Sequence, residues 1–261
     1  MADGVRLQKW LASAGLCSRR EGEGWIEAGR VAINDVVVTC QGQRVLPDDR
    51  VAVDGVPVDR PETLRITLVF HKPPGLICTR SDPQGRPTIF EALPPDLPRL
   101  ILVGRLDFMS EGVLLLTSDG LLAHRLMHPR QEVPRSYRVR VRGRISPELA
   151  GRLTAGVELD DGPTGPLEVV LDRVTGANSW LTITLREGRN RMVRRIFETL
   201  GMEVARLIRV SFGSVELGSL QPGAWRPLTQ EELLQLRHQA GFKPPRRVRP
   251  AAKAARPPRS D

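Results

Sequence analysis

Leu100-Ile101-Leu102-Val103-Gly104-Arg105-Leu106-Asp107, continued by Phe108-Met109-Ser110-Glu111-Gly112 and Val113-Leu114-Leu115-Leu116-Thr117, is the stretch on which the fold turns. Short apolar runs bounded by turn residues predict two buried strands. Between them a polar loop leaves the sheet at Gly104, carries Arg105 and Asp107, and returns at Gly112. A carboxylate on a loop held by two strands is placed for chemistry. From the pattern alone, a loop Asp is also a common turn former.

Outward from this stretch, the composition narrows the class. The 261 residues suffice for two domains with real cores. No apolar run approaches the roughly 18 residues that span a bilayer. The start, Met1-Ala2-Asp3-Gly4-Val5-Arg6, lacks the apolar centre of a signal peptide, so a cytoplasmic protein is expected. Cys17, Cys40 and Cys78 are odd in number and far apart, which fits a reducing compartment and gives no metal-ligand spacing. The net charge of +9 suggests a polyanionic partner. Much of the excess sits in residues 241–261, with seven Lys or Arg against one Asp. That segment also has five prolines and little to bury, so it is expected to be a disordered basic tail.

Toward the N-terminus, Leu7, Trp10, Leu11 and Ala14 follow helical spacing, and Gly15 stops that helix. Ser18-Arg19-Arg20-Glu21 is a capping-box pattern opening a second helix to Ala28, with Gly29 as its stop. Hairpins follow, Val31–Ile33 with Val36–Val38 around Asn34-Asp35, and Arg50–Val53 with Val56–Val58 around Asp54-Gly55. Asp59-Arg60-Pro61-Glu62 reads as a connector. Residues 1–60 and 61–240 are therefore expected to be separate domains.

In the second domain, Leu64 to Phe70 predicts a strand entering a turn at His71-Lys72-Pro73-Pro74-Gly75. Ser118-Asp119-Gly120 caps a helix with Leu121, Leu122 and Leu126 on its apolar side. His124 and His128 share a helical spacing without a third ligand, so they are read as solvent- or RNA-facing. Arg135 to Arg142 alternates strictly, with Tyr137, Val139 and Val141 on one face and Arg138, Arg140 and Arg142 on the other. Ser146 to Gly156 predicts a helix, and Leu167–Val174 and Trp180–Leu185 predict strands. In Arg189-Asn190-Arg191-Met192-Val193-Arg194-Arg195-Ile196-Phe197, the residues Met192, Val193, Ile196, Phe197 and Leu200 make an apolar helical stripe. Arg194 lies at its edge, where a partly buried arginine wants a carboxylate. Val204 to Leu217 predicts a long strand pair, and Thr229 caps a final helix, Gln230 to Gln239.

Gly104-Arg105-Leu106-Asp107 with Gly112-Val113-Leu114-Leu115-Leu116-Thr117 resembles the signature loop of the RsuA-type ribosomal RNA pseudouridine synthases. Lys72-Pro73-Pro74-Gly75, Tyr137 in its strand, the Glu187-to-Arg195 segment and Arg206-Leu207-Ile208-Arg209-Val210 extend the resemblance. Met192 departs from it, since many members carry Gln or Glu there. Arg6-Leu7-Gln8-Lys9-Trp10-Leu11, Ser18-Arg19-Arg20 and Gly29-Arg30-Val31-Ala32-Ile33-Asn34 resemble an S4 RNA-binding domain.

The resemblance implies an α+β chain: a small N-terminal S4 (alpha-L) domain, then a synthase domain with a mixed, mostly antiparallel sheet and flanking helices around a central cleft. It implies Asp107 as the catalytic carboxylate, which would act as a nucleophile or help form a glycal. Arg194 would be its ion-pair partner and favour its charged form. Tyr137, which pattern alone reads as core packing, would pack against the target base. Arg105 would hold a phosphate or fill the space left by a flipped uridine. Lys9, Arg19, Arg20, Arg30, Arg189 and Arg191 would contact RNA. The reaction needs no metal and no nucleotide cofactor. The expected partner is ribosomal RNA or a ribosome assembly intermediate, with no membrane, acted on by a monomer. His128-Pro129 and Glu132-Val133-Pro134-Arg135-Ser136-Tyr137 point to the large-subunit (23S) branch of the family. The alternatives are a small-subunit (16S) enzyme or a non-catalytic S4-type assembly protein. A methyltransferase would require a Gly-rich loop in a βαβ unit, and none is found.

Overall fold

The structure is a computed structural model and describes residues 4–59 and 65–243. The expected connector at Arg60-Pro61-Glu62 and most of the basic tail lie outside the described residues.

The N-terminal unit opens with β1 (Val5–Arg6), α1 (Leu7–Ser13) and α2 (Arg19–Glu27). Ser18 and Glu21 cap α2 reciprocally, as their spacing predicts. A four-stranded antiparallel sheet follows, from β2 (Val31–Ile33) and β3 (Val36–Val38) and, after the two-residue β4 (Arg44–Val45), β5 (Val51–Val53) and β6 (Val56–Val58). Asn34, Asp35, Asp54 and Gly55 all take positive φ, the backbone that a two-residue hairpin demands. Leu7, Trp10, Leu11, Ile26, Val31 and Val51 form its core.

The second unit is a nine-stranded mixed sheet with its own helices. Its strands are β7 (Thr67–Lys72), β8 (Ile101–Val103), β9 (Glu111–Thr117), β10 (Arg135–Arg142), β13 (Glu168–Thr175), β14 (Asn178–Leu185), β15 (Val204–Phe212), β16 (Val215–Glu216) and β17 (Trp225–Pro227). The short hairpin β11 (Glu158–Leu159) and β12 (Gly162–Pro163) stands apart from it. The main order is β13-β14-β10-β15-β9-β7-β17, with β8 and β16 to the side. Every pairing is antiparallel except β15 with β9. The helices are α3 (Gly120–Met127), α4 (Pro147–Ala155), α5 (Met192–Thr199) and α6 (Gln230–Gln239).

The seam of this sheet is β9. One edge pairs with β7 along its length. The other edge is shared: β8 takes residues 115–117 and β15 takes residues 111–112. The loop 104–110 therefore leaves β8 close to where β15 takes over. At that point Gly112 has φ +109°, and a Cβ there would collide with the Arg209 backbone. Only glycine lets the two backbones approach so closely. Val113, Leu114, Leu115 and Leu116 are fully buried, each contributing about 2 kcal/mol of apolar transfer.

Three sequence expectations need correction. Of the strand expected over Leu64 to Phe70, Leu64 lies outside the described residues; the strand begins at Thr67 and continues through His71 and Lys72, because pairing with β9 persists to Lys72 and Gly112. Of the two flanking runs expected to be buried, only β9 is buried throughout; Ile101 in β8 is exposed. Leu121 also faces solvent, and Ala123 takes its expected place on the buried side of α3.

Candidate active site

The loop carrying Asp107 is anchored by atoms that sequence patterns do not reveal. Lys72 is fully buried, and its Nζ donates to the carbonyls of Pro73, Phe108 and Ser110 at 3.0, 3.2 and 2.8 Å. Burial pulls its ammonium below the ordinary lysine value, opposed by nearby groups that include the Asp107 and Glu111 carboxylates. Gly75 N–H donates to Phe108 O at 2.8 Å, and Ser110 N–H to Asp107 O at 3.0 Å. Leu106 packs into the core beside Leu100 and Leu114, and its N–H donates to the Cys78 sulfur at 3.4 Å. A loop tied at so many points holds its carboxylate without further reorganisation.

Arg194 approaches Asp107 from α5. Its Nε lies 3.7 Å from Asp107 Oδ2, close enough for an ion pair and too long for a hydrogen bond. The guanidinium is held by Val204 O at 3.2 Å and the Ser110 hydroxyl at 3.5 Å. Burial lowers its pKa and Asp107 opposes that shift. Asp107 keeps 31% of its side chain exposed, so its oxygens remain open to a ligand.

Tyr137 sits where two core clusters meet, packed against both. It shares a cavity of about 70 Å³ with Asp107, Ser110, Arg191 and Met192. This cavity shares Arg105, Asp107 and Tyr137 with a cleft of about 940 Å³ that also reaches Arg135 and Arg209. Met192 is buried and joins the core, as its apolar character dictates.

The fold thus brings Arg105, Asp107, Tyr137, Arg189, Arg191 and Arg194 together from three separate segments. Arg105 and Arg191 are exposed at the cleft. Arg189, expected on RNA, lines the cleft and is also held within the protein: it pairs with Glu187 and Asp161 at 2.8 Å each and donates to the Gly162 and Pro163 carbonyls. Arg195 also binds Asp161. Together they fasten the loop before α5 to the β11–β12 hairpin. Lys9, Arg19 and Arg20 lie exposed on the N-terminal helices and do not line the cleft. Arg30 is committed to Asp54 at 2.5 Å and stacks on Trp25. Among the described residues, no three His, Cys, Asp or Glu side chains are grouped to hold a metal ion.

Pattern alone gives no role to four charged residues, Lys72, Glu111, Arg206 and Arg209, although Lys72, Arg206 and Arg209 lie in segments that carry the resemblance. Glu111 and Arg206 form a bidentate pair at 2.6 and 3.1 Å across β9 and β15. Arg209 is 2% exposed and donates to Val113 O at 2.6 Å. The available signal was a charged residue inside an otherwise apolar strand, which is costly unless partnered.

Comparison with known proteins identifies the family. The S4 domain pattern matches residues 5–51, and the family described as RNA pseudouridylate synthase matches residues 66–199. The chain is 47% identical over 247 residues to Ribosomal large subunit pseudouridine synthase B of Pseudomonas aeruginosa, covering 92% of this chain and 64% of that protein. It is 44% identical to the protein of that name from Salmonella typhimurium, covering 89% of this chain and 82% of the relative. A solved structure described as a pseudouridylate synthase superposes with a TM-score of 0.64 at 29% identity, covering 89% of this chain and 99% of that one. With an S4 unit leading a sheet that presents Asp107 beside Tyr137 and Arg194, the chain belongs to the RNA pseudouridylate synthase family.

Proposed function

We propose that this chain converts a uridine of large-subunit ribosomal RNA to pseudouridine, with Asp107 as the essential carboxylate. The observation that carries the reading is an under-coordinated Asp107 facing Arg194 and sharing a cavity with Tyr137. The names of the bacterial relatives supply the substrate. Residues 1–60 would bind the RNA, residues 61–240 would perform the chemistry, and the basic tail would add salt-sensitive affinity. One chain supplies all three central side chains, which supports action as a monomer. The substrate, ribosomal RNA or a precursor particle, supports action in the cytoplasm.

In the reaction the N1–C1′ bond breaks, the uracil turns, and a C5–C1′ bond forms. The C5 proton is lost and N1 regains one, so nothing is oxidised and no cofactor is consumed. Asp107 acts on the sugar, either by adding to C1′ or by taking the C2′ proton toward a glycal. Arg194, within ion-pair reach, orients the carboxylate toward the cavity. Tyr137 gives the detached base a wall to pack on. Arg105, at the cleft edge, holds a phosphate or occupies the space of the flipped nucleotide.

The test uses large-subunit and small-subunit rRNA tritiated at C5 of uridine, each incubated with the protein and with Asp107→Asn. Release from the large-subunit RNA alone, lost in the variant, is the expected result. Release from the small-subunit RNA alone overturns the substrate assignment. Absence of release from both RNAs and from their precursor particles overturns the enzymatic reading.

A further inference from the structure

Among the described residues, two largely buried arginines in the cleft have no carboxylate partner. Arg209 is 2% exposed; among the described residues, its hydrogen bond runs from Nε to the Val113 carbonyl, and its Nη2 is buried without a partner. Arg135, largely buried beside it, donates only to Leu126 O at 3.4 Å. Both guanidiniums lie against the Phe212 ring, at 4.8 and 5.4 Å from its centroid. Neither has a carboxylate within ion-pair reach among the described residues. Three other cleft arginines differ: Arg186 pairs with Glu168, Arg189 with Glu187 and Asp161, and Arg191 with Glu198; Arg105 at the cleft edge is exposed to solvent.

Burial already pulls the Arg135 guanidinium below its ordinary value; Tyr137 opposes that shift and Arg209 adds to it. Two desolvated like charges side by side are unfavourable unless an anion joins them. Both line the cleft that Asp107 and Tyr137 also line. A neutral acceptor would satisfy the free N–H without offsetting the charge; a phosphate does both, because its oxygens match the guanidinium fork.

We infer that Arg135 and Arg209 form an anion subsite that holds one backbone phosphate of the RNA beside the nucleotide facing Asp107. This rests on the RNA-modifying reading above and adds two positioning residues to it. The phosphate sets how far the strand enters the cleft, so the uridine meets Asp107 in register.

The test measures binding of large-subunit rRNA to the full-length Asp107→Asn chain across a salt series, alone and combined with Arg135→Gln, Arg209→Gln or both. One lost phosphate contact lowers the slope of log affinity against log salt by about 0.7 to 0.9. Each single variant is expected to show that loss, and the double variant no more than about one contact's worth, since both residues share the phosphate. In the active chain, Arg135→Gln raises KM about tenfold, and Arg135→Lys recovers most of it. If affinity falls while the slope holds, the partner is a neutral base atom and the phosphate subsite is overturned. If slope and KM hold while only the melting temperature falls, the pair serves packing, which also overturns it. Should Arg209→Gln fail to fold, the Arg135 variants decide alone. Failure of the isomerase reading is seen separately, as absent tritium release by the unsubstituted chain, and leaves the salt slope decisive for the subsite.

Discussion

Asp107 and Asp119 sit just before and just after the same strand, β9, and have opposite surroundings. Asp119 is saturated. Its Oδ1 accepts the N–H groups of Leu121 and Leu122 at 3.0 Å and so caps α3. Its Oδ2 accepts from Arg65 at 3.2 Å and Arg237 at 3.1 Å, joining the start of β7 to α6. Its side chain is 5% exposed. Asp107 has one arginine at 3.7 Å and 31% of its side chain open. Two carboxylates on one scaffold thus divide the work: the saturated one holds elements together, and the unsaturated one is left for chemistry. What matters is how many lone pairs remain free, since a carboxylate already accepting four hydrogen bonds has no capacity for a substrate.

The largest expected effect breaks the comparison at the chemical end. Asp107→Asn should slow label release by about a thousandfold or more, about 4 kcal/mol of barrier, while thermal unfolding stays close to that of the unsubstituted chain. A variant that instead unfolds early would show that Asp107 is structural like Asp119. Next comes Asp119→Ala, which removes a cap worth about 1 kcal/mol and two ion pairs to partly exposed arginines. A loss of about 2 kcal/mol in denaturant unfolding is expected, with turnover retained well below the melting temperature.

A titration sharpens the same contrast. Burial pushes the Asp119 carboxyl up, but the Leu122 and Leu121 N–H groups, Arg65 and Arg237 outweigh it, and the net shift is downward. A depressed folded value means that the contribution is present above the unfolded pKa, about 3.9, and lost as pH falls through the folded value. Acid unfolding of Asp119→Ala should therefore lack that share of the pH dependence. The smallest effect concerns a surface carboxylate: Glu203 pairs with Arg142 with both side chains more than 60% exposed. Glu203→Gln should change stability by less than about 0.5 kcal/mol, measured by the same denaturant series.

Much of this molecule is legible in its residues alone. The capping box at Ser18 and Glu21, the hairpin turns at Asn34-Asp35 and Asp54-Gly55, and the alternation through Tyr137, Val139 and Val141 are local patterns, and each forms where its residues predict. Arg194 at the edge of its helical stripe asks for a carboxylate, and it has Asp107. Other features are hidden because their causes lie far away in the chain. The short strand β17 exists because β7 offers it a free edge. Leu121 is exposed because the core beneath α3 is met by Ala123 and Leu122. The pairing of Arg189 with Asp161, 28 residues earlier, has no local signal.

The sequence by itself determined the elements, their caps and turns, and which residue types were available for chemistry, because these depend on neighbours a few positions apart. The tertiary structure alone decided which charges are spent and which are free. Lys72 is consumed by three carbonyls, Asp119 by a helix end and two arginines, and Asp107 by almost nothing. Only the arrangement of distant strands sets the burial and partners of each charge, and those set its availability to RNA.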